Sequence, residues 1–308
     1  MFVGIITGGN SKERPMTLKA AQDVQSILRE AGIQTEIFEL DNGRSLQEIL
    51  SARIDLAFII DSTFPLEPEN VGLTVRFALI EAGIPYLGPS EQSFQLARDK
   101  SACRTLFLKN GIRIPKGFTI STAKPQTDLA GLSFPLILKP NTGASSIGIE
   151  VADNWQDFQT AFLRLRMLVD SIVVEEFLHG TEITVPVITR GNMLVALAPA
   201  EIEMTNSRFY DYETKVVTWS NNVYFPARLN EAETDEVRDI AIRCAKLIDT
   251  SACARVDMII SDGRPFVLEI NSEPLLSRDD FVARCANASG IVYRELILSL
   301  LKHSTMPS

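Results

Sequence analysis

The chain has 308 residues, 45% of them hydrophobic and 22% charged. These are the proportions of a folded globular protein with a large core, and they exclude disorder, collagen and coiled coil. The 30 Lys+Arg against 39 Asp+Glu give a formal charge of -9, which argues against sequence-independent nucleic-acid binding but leaves room for a local basic pocket. At roughly 100–200 residues per domain the length predicts two or three domains. The four cysteines, Cys103, Cys244, Cys253 and Cys285, form no CxxC pair, and His179 and His303 are the two histidines. No zinc site is expected from that supply. No apolar run approaches the roughly 20 residues that cross a bilayer. Met1–Gly8 lacks a basic leader and reads as a strand, so the cytosol is the expected compartment.

The first 90 residues alternate strand and helix. Phe2–Thr7 is an apolar strand ending in Gly8-Gly9. Ala20, Val24, Ile27, Leu28 and Ala31 recur at helical spacing over Thr17–Ala31, with Gly32 as the stop. Strand Thr35–Leu40, helix Ser45–Ala52, strand Leu56–Ile60 and helix Asn70–Ala82 follow, the last stopped by Gly83. This rhythm predicts a parallel sheet wrapped by helices, with ligands at the carboxyl ends of its strands. Those ends are Gly8–Glu13 and Asp61–Glu69.

A second unit reads as a helix over 91–110, strands Ile112–Ile120, Pro135–Lys139 and Ile149–Ala152, helix Trp155–Val169 and strand Ile172–Phe177. A third begins near Glu182, with strands Ile183–Thr189 and Met193–Ile202. A polar, aromatic loop Thr205–Asn222, an amphipathic helix Thr234–Ile248 and strands Val256–Ser261 and Pro265–Ile270 complete it. Asp262-Gly263 is a hairpin signal between the last two strands. The fold class expected is α/β, in three parts: 1–92, 93–181 and 182–308.

Four groups can carry chemistry. Lys139 ends a strand and precedes Asn141-Thr142-Gly143-Ala144-Ser145-Ser146. Small residues let backbone amides approach an anion, and the hydroxyls of Ser145 and Ser146 add donors. The lysine precedes the loop, so this is not a Walker A motif; a flexible hairpin is the alternative. Arg255 and Asp257, and Glu269 and Asn271, alternate in phase on two adjacent strands, so all four can point to one side. Oxygen ligands on one face suit Mg²⁺ held with phosphate oxygens, and Arg255 can neutralise a developing anion; a salt-bridged strand pair is the alternative. In Glu175–Glu182 the bend at Leu178-His179-Gly180 offers backbone to adenine and Glu182 an acceptor to ribose, or it is an ordinary hinge. Lys215, in the 205–222 loop, is a cation that can close over a polyphosphate, or a solvated surface lysine.

In this order, with the GGNSKER segment at the start, IPYLGPS at Ile84–Ser90, Arg98–Lys100, and FYDYETK at Phe209–Lys215, these groups resemble the ATP-grasp superfamily and within it the D-alanine–D-alanine ligase family. The resemblance covers nearly the whole chain and implies an ATP-grasp fold. It implies that Lys100, Lys139 and Lys215 contact nucleotide phosphates, and that Glu175, the Leu178 backbone and Glu182 hold adenine and ribose. It further implies that Asp257, Glu269 and Asn271 bind two Mg²⁺, or Mn²⁺ in its place, and that Arg255 stabilises the transferring phosphoryl group. Glu13 would bind the ammonium of the first amino acid, and Ser145 would position the lid and that substrate. A homodimer is implied as well. The reaction would be carboxylate activation to an acyl phosphate and attack by an amine, a chemistry of positioning and charge neutralisation.

The amino-acid half departs from the family. Asp61 stands where a histidine is expected, Val216 where a tyrosine is, and Asn271 is followed by Ser272-Glu273-Pro274-Leu275 instead of a proline-glycine pattern. Leu275 keeps only its backbone N–H as a donor, and Asp280 stands near the position of a hydroxyl that would receive the second carboxylate. With Glu273, Asp279 and Asp280 close in sequence, and Arg278 to offset them, the expectation is a ligase with altered amino-acid or amine substrates. The alternatives are a genuine D-alanine–D-alanine ligase of cell-wall synthesis and a nucleotide-binding protein without catalysis.

Overall fold

The computed structural model describes residues 1–8, 14–40, 44–60, 71–124, 128–129, 131–142, 148–203 and 222–303. Three sheets organise them. The first is parallel, in the order β2-β1-β3-β4, from β1 (Phe2–Gly8), β2 (Gln34–Leu40), β3 (Leu56–Ile59) and β4 (Tyr86–Leu87). Six successive residues of β1 are buried, as a parallel strand covered on both faces requires. Helix α1 (Arg14–Glu30) buries Ala20, Ala21, Val24, Ile27 and Leu28 on it, the predicted face. Helices α2 (Arg44–Ser51) and α3 (Val71–Glu81) accompany the other strands. The short β4 falls inside IPYLGPS and was not predicted as a strand, since two residues carry no period.

The segment 91–110 forms two helices, not one. Helix α4 (Glu91–Arg98) ends at Asp99, and α5 (Lys100–Lys109) begins there. Asp99 is extended, at φ -85° and ψ 95°, and its carboxylate accepts from the Ala102 N–H. An acid that caps the next helix competes with continuing the last one. The second sheet is antiparallel, β5-β8-β6-β7, from β5 (Gly117–Ser121), β6 (Leu136–Pro140), β7 (Glu150–Ala152) and β8 (Ser171–Glu176). Strand β5 starts at Gly117, not at Ile112, and Pro115 lies within the stretch that stays irregular. Helix α6 (Trp155–Leu165) packs Phe158, Ala161, Phe162 and Leu165 into this sheet's core.

The third sheet runs β12-β11-β9-β13-β14, with β10 also paired to β9. Its strands are β9 (Thr181–Arg190), β10 (Met193–Ala196), β11 (Ala200–Glu203), β12 (Asn222–Tyr224), β13 (Cys253–Ser261) and β14 (Arg264–Asn271). The predicted single strand Met193–Ile202 is broken into β10 and β11 by Leu197-Ala198-Pro199, where proline removes a ladder donor. Helix α7 (Glu231–Ile248) begins at a capping box of Asn230 and Glu233 and buries Val237, Ile240, Ala241, Cys244 and Ile248. Asp262 and Gly263, at φ 49° and 70°, make the predicted turn between β13 and β14.

Two helices went unread, α8 (Phe281–Ala288) and α9 (Tyr293–Leu300). They join the ends of the molecule. One core cluster combines Ala21, Val24 and Leu28 of α1 with Val282, Leu296, Ile297 and Leu300, and Leu275 packs against it. The chain leaving β14 is therefore held against the N-terminal helix.

Candidate active site

The hairpin of β13 and β14 sets the geometry. Asp257 stands directly opposite Glu269 and Arg255 opposite Asn271, so the four predicted residues share one face. A register shift follows between Asp257 and Met258. Arg255 donates to Asp257 with both Nε (2.9 Å) and Nη2 (2.8 Å), and the Thr184 hydroxyl also donates to Asp257. Burial alone would lower the pKa of Arg255, but Asp257, Asp280 and Glu269 outweigh it and hold the guanidinium charged. The side-chain oxygen of Asn271 accepts from the Glu273 N–H at 2.8 Å.

The second sheet supplies the cation. Lys139 of β6 and Glu175 of β8 are both buried, 2.7 Å apart, and Arg104 of α5 also pairs with Glu175. Arg104 was missed, although it lies four residues after Lys100 on α5 and so on the same face. Burial lowers the pKa of Lys100, partly offset by the Glu269 carboxylate and reinforced by Lys139, which places Lys100 among the same charges. Asn141 ties this corner together: its backbone oxygen accepts from the Lys100 N–H (3.1 Å), its side-chain oxygen from the Ser101 N–H (2.9 Å), and its amide donates to Asp99 (3.1 Å).

Lys139, Glu182, Arg255, Asp257 and Glu269 line one cleft, joined by Thr184, Ile202 and Phe281. Thr184, also unpredicted, is two residues from Glu182 on β9, so strand alternation was its signal. Leu178 lies in the 177–180 link between β8 and β9, beside the edge-on ring pair Phe177 and His179 (5.0 Å). A Cβ at Gly180 would lie 2.0 Å from the Ile260 carbonyl oxygen, so that link passes β13 at a distance only glycine allows. Glu13, Asp61, Ser145, Ser146 and Lys215 lie outside the described residues, as does most of the 205–222 loop.

Each of the acids grouped as an acceptor pocket has a protein cation close to it. Glu273 pairs with Arg76 of α3, whose side chain is fully buried. Asp279 pairs with Lys19 of α1 at 3.1 Å, and Lys19 with Asp23 at 2.9 Å. Arg278 turns to α1 as well: its N–H donates to Asp23 (3.0 Å), and its guanidinium lies 5.0 Å from the Tyr293 ring centre. Asp280 precedes α8, is 9% exposed and acts on Arg255. Charge counting along the sequence could not reveal the partners of Glu273, Arg278 and Asp279, which lie about 200 to 260 positions away.

The possible cation ligands are all oxygens: two carboxylates across a strand pair and one amide. That donor set fits Mg²⁺, with nucleotide phosphates completing the shell. Among the described residues no cluster of three or more His, Cys, Asp and Glu side chains forms a metal cage by itself.

The family described as D-ala D-ala ligase C-terminus matches residues 115–302, more than half of the chain. The chain belongs to the D-alanine–D-alanine ligase family. A D-alanine–D-alanine ligase of Bordetella petrii is 30% identical over 98% of this chain and 91% of its own length. The Bacillus anthracis D-alanine–D-alanine ligase complexed with ATP superposes with a TM-score of 0.82 at 24% identity, over 98% of this chain and 96% of its own. The VanG D-Ala:D-Ser ligase of Enterococcus faecalis gives 0.77 at 21%, over 98% of both chains. The fold is thus ATP-grasp, and the chain is an ATP-dependent ligase forming a C–N bond. Its substrates are small amino-acid-like molecules. Among the described residues no helix is long and apolar enough to cross a membrane.

Proposed function

We propose that the chain is a D-alanine–D-alanine ligase. ATP converts the carboxylate of one D-alanine to an acyl phosphate, and the amine of a second attacks it, releasing phosphate and forming the amide. The observation that carries this reading is the engagement of Glu273 by the fully buried Arg76. With Asp280 acting on Arg255, the acidity that argued for an altered acceptor is directed at protein cations. Relatives of that name, matched along almost their whole length, support the same choice.

In this reading Lys100 and Lys139 face the nucleotide phosphates, with Ser145, Ser146 and Lys215 completing the contact. Glu175 holds Lys139 in place instead of reading the base, because its carboxylate is taken by two cations. The 177–180 link and Glu182 serve adenine and ribose. Asp257, Glu269 and Asn271 hold two Mg²⁺, which supply charge compensation for the transferring phosphoryl group. Arg255 stabilises that group and the tetrahedral intermediate, and Glu13 receives the first ammonium. The three parts 1–92, 93–181 and 182–308 act as domains of a cytosolic homodimer, whose mass light scattering would give.

The test is ATP-dependent phosphate release with D-alanine beside a panel of amino acids and amines, including D-serine. D-alanine alone should support turnover. Turnover with another amine, and little with D-alanine, would return the altered-substrate reading.

A further inference from the structure

The nucleotide half and the N-terminal unit are joined by one buried charge pair. Arg76 lies on α3, and its side chain is 0% exposed. Its Nη2 donates to Glu273 Oε1, while its Nε and Nη1 have no hydrogen-bond partner among the described residues. The guanidinium carbon sits 3.7 Å from the ring centre of Phe94 on α4. Gly88, at φ 148°, leaves room for the carboxylate: a Cβ there would come 3.3 Å from Glu273 Oε1. Glu273 is thus held by Arg76 of α3, which itself stacks on Phe94 of α4, while Gly88 in the link from β4 to α4 leaves it room. Its own N–H donates to the side-chain oxygen of Asn271 at 2.8 Å. A carboxamide oxygen with one lone pair held this way presents the other in a fixed direction.

We infer that Arg76 and Glu273 are positioning residues for the metal ligand Asn271, so that cation affinity in the C-terminal hairpin is set from the N-terminal unit. The inference rests on the reading of Asn271 as a ligand made above. Arg76 never approaches the ion. It holds the Glu273 carboxylate, the carboxylate holds the 271–274 turn, and the turn's amide orients the Asn271 oxygen. Groups that orient a ligand in this manner typically change metal affinity by about 10- to 100-fold when removed.

The experiment is a Mn²⁺ titration followed by electron paramagnetic resonance, in the full chain with a non-hydrolysable ATP analogue. Analogue affinity without metal and thermal melting are measured alongside. Arg76→Met should weaken Mn²⁺ binding about tenfold or more and leave metal-free analogue binding unchanged. Leu79→Ala, fully buried on the same helix, supplies the stability control and should melt earlier with unchanged Mn²⁺ affinity. Should Arg76→Met not fold, Arg76→Lys carries the test, since it keeps the charge and loses the planar fork; the same direction is expected. Wild-type Mn²⁺ affinity in the folded Arg76 variant, or an equal loss in Leu79→Ala, overturns the inference. Glu269→Gln separates it from the reading beneath: if that variant binds Mn²⁺ as wild type does, the metal site itself is misplaced and both fall.

Discussion

The two halves of the site differ in what carries them. In the reading proposed above, the nucleotide half is built mostly on strands, with Lys100 on α5: Lys139 on β6, Glu175 on β8, Glu182 and Thr184 on β9, Arg255 and Asp257 on β13, Glu269 and Asn271 on β14. The amino-acid half is built on the links after strands and on the chain between β14 and α8. Strand alternation fixes which way a side chain points, so residues on one face act together and are read together. A link has no period, and its charges find partners on whatever element lies near. Glu273, Arg278 and Asp279 illustrate this, each engaged by α1 or α3. An acid in such a link carries little information about a substrate until its partner is known.

The largest effect should come from the strand-borne half. Glu269→Gln removes a charge opposite Asp257 without changing shape. Turnover should fall by about three orders of magnitude, equivalent to about 4 kcal/mol of barrier, while thermal melting stays near wild type. Phosphate release and calorimetry measure the two. Turnover within about tenfold of wild type would place the metal elsewhere and remove the distinction between the halves.

Next in size is the Lys139–Glu175–Arg104 cluster. Glu175→Ala leaves the buried Lys139 and the partly buried Arg104 without their carboxylate, and breaking a buried pair in this way costs about 3–5 kcal/mol. Chemical unfolding should report that loss, with weaker nucleotide binding because Lys139 is no longer held. The double variant Glu175→Met/Arg104→Met should recover part of the stability and none of the nucleotide affinity. If nucleotide affinity is untouched in Glu175→Ala, Lys139 does not depend on it, and Glu175 is structural alone.

Much of this was legible beforehand. The βαβ rhythm gave a parallel sheet because β1 and β3 are apolar runs and α1 and α3 are stopped by Gly32 and Gly83. Alternation put Glu269 and Asn271 on one face, but Asp257 joins them through the register shift between Asp257 and Met258, which no residue pattern announced: the two-residue turn alone would set Asp257 opposite Leu268. The break at Asp99 was not legible, because a capping carboxylate looks like any helix-surface acid until the next turn is seen. Helices α8 and α9 were missed because their apolar residues pair with α1, far away in sequence. Arg76 gave no signal at all: an arginine within an apolar helix reads as solvated, yet it is fully buried.

Asp280 tests the amino-acid half directly. If its carboxylate faced an incoming substrate carboxylate, Asp280→Asn would improve the acceptor KM by several kcal/mol, hence a hundredfold or more. Because Asp280 acts on Arg255, the expected change in KM for the second D-alanine is less than about tenfold, or about 1.4 kcal/mol. Initial rates over a range of D-alanine concentrations give the value. A hundredfold improvement would show the acid to be a substrate-facing group and restore the altered-substrate reading.

The smallest effect should come from Lys19, and its smallness is informative. Lys19 links α1 to the 278–280 segment through Asp279 and also pairs with Asp23. Its side chain is 51% exposed and that of Asp279 78%, so water and salt screen the contact. Exposed pairs of this kind contribute below about 1 kcal/mol, and less as salt rises. The contact between α1 and the C-terminal helices is instead maintained by the apolar cluster of Val24, Leu28, Leu296, Ile297 and Leu300. Lys19→Ala should therefore lower unfolding free energy by less than about 1 kcal/mol, with the difference vanishing in high salt, and D-alanine KM should stay within about twofold of wild type, since a loss this small cannot move a packed segment. Denaturant unfolding at two salt concentrations, with initial rates at each, measures both. A KM shift of tenfold that disappears in salt would mean that the 278–280 segment is held by surface charge, and the amino-acid half would then respond to ionic strength where the nucleotide half, with its buried pairs, does not.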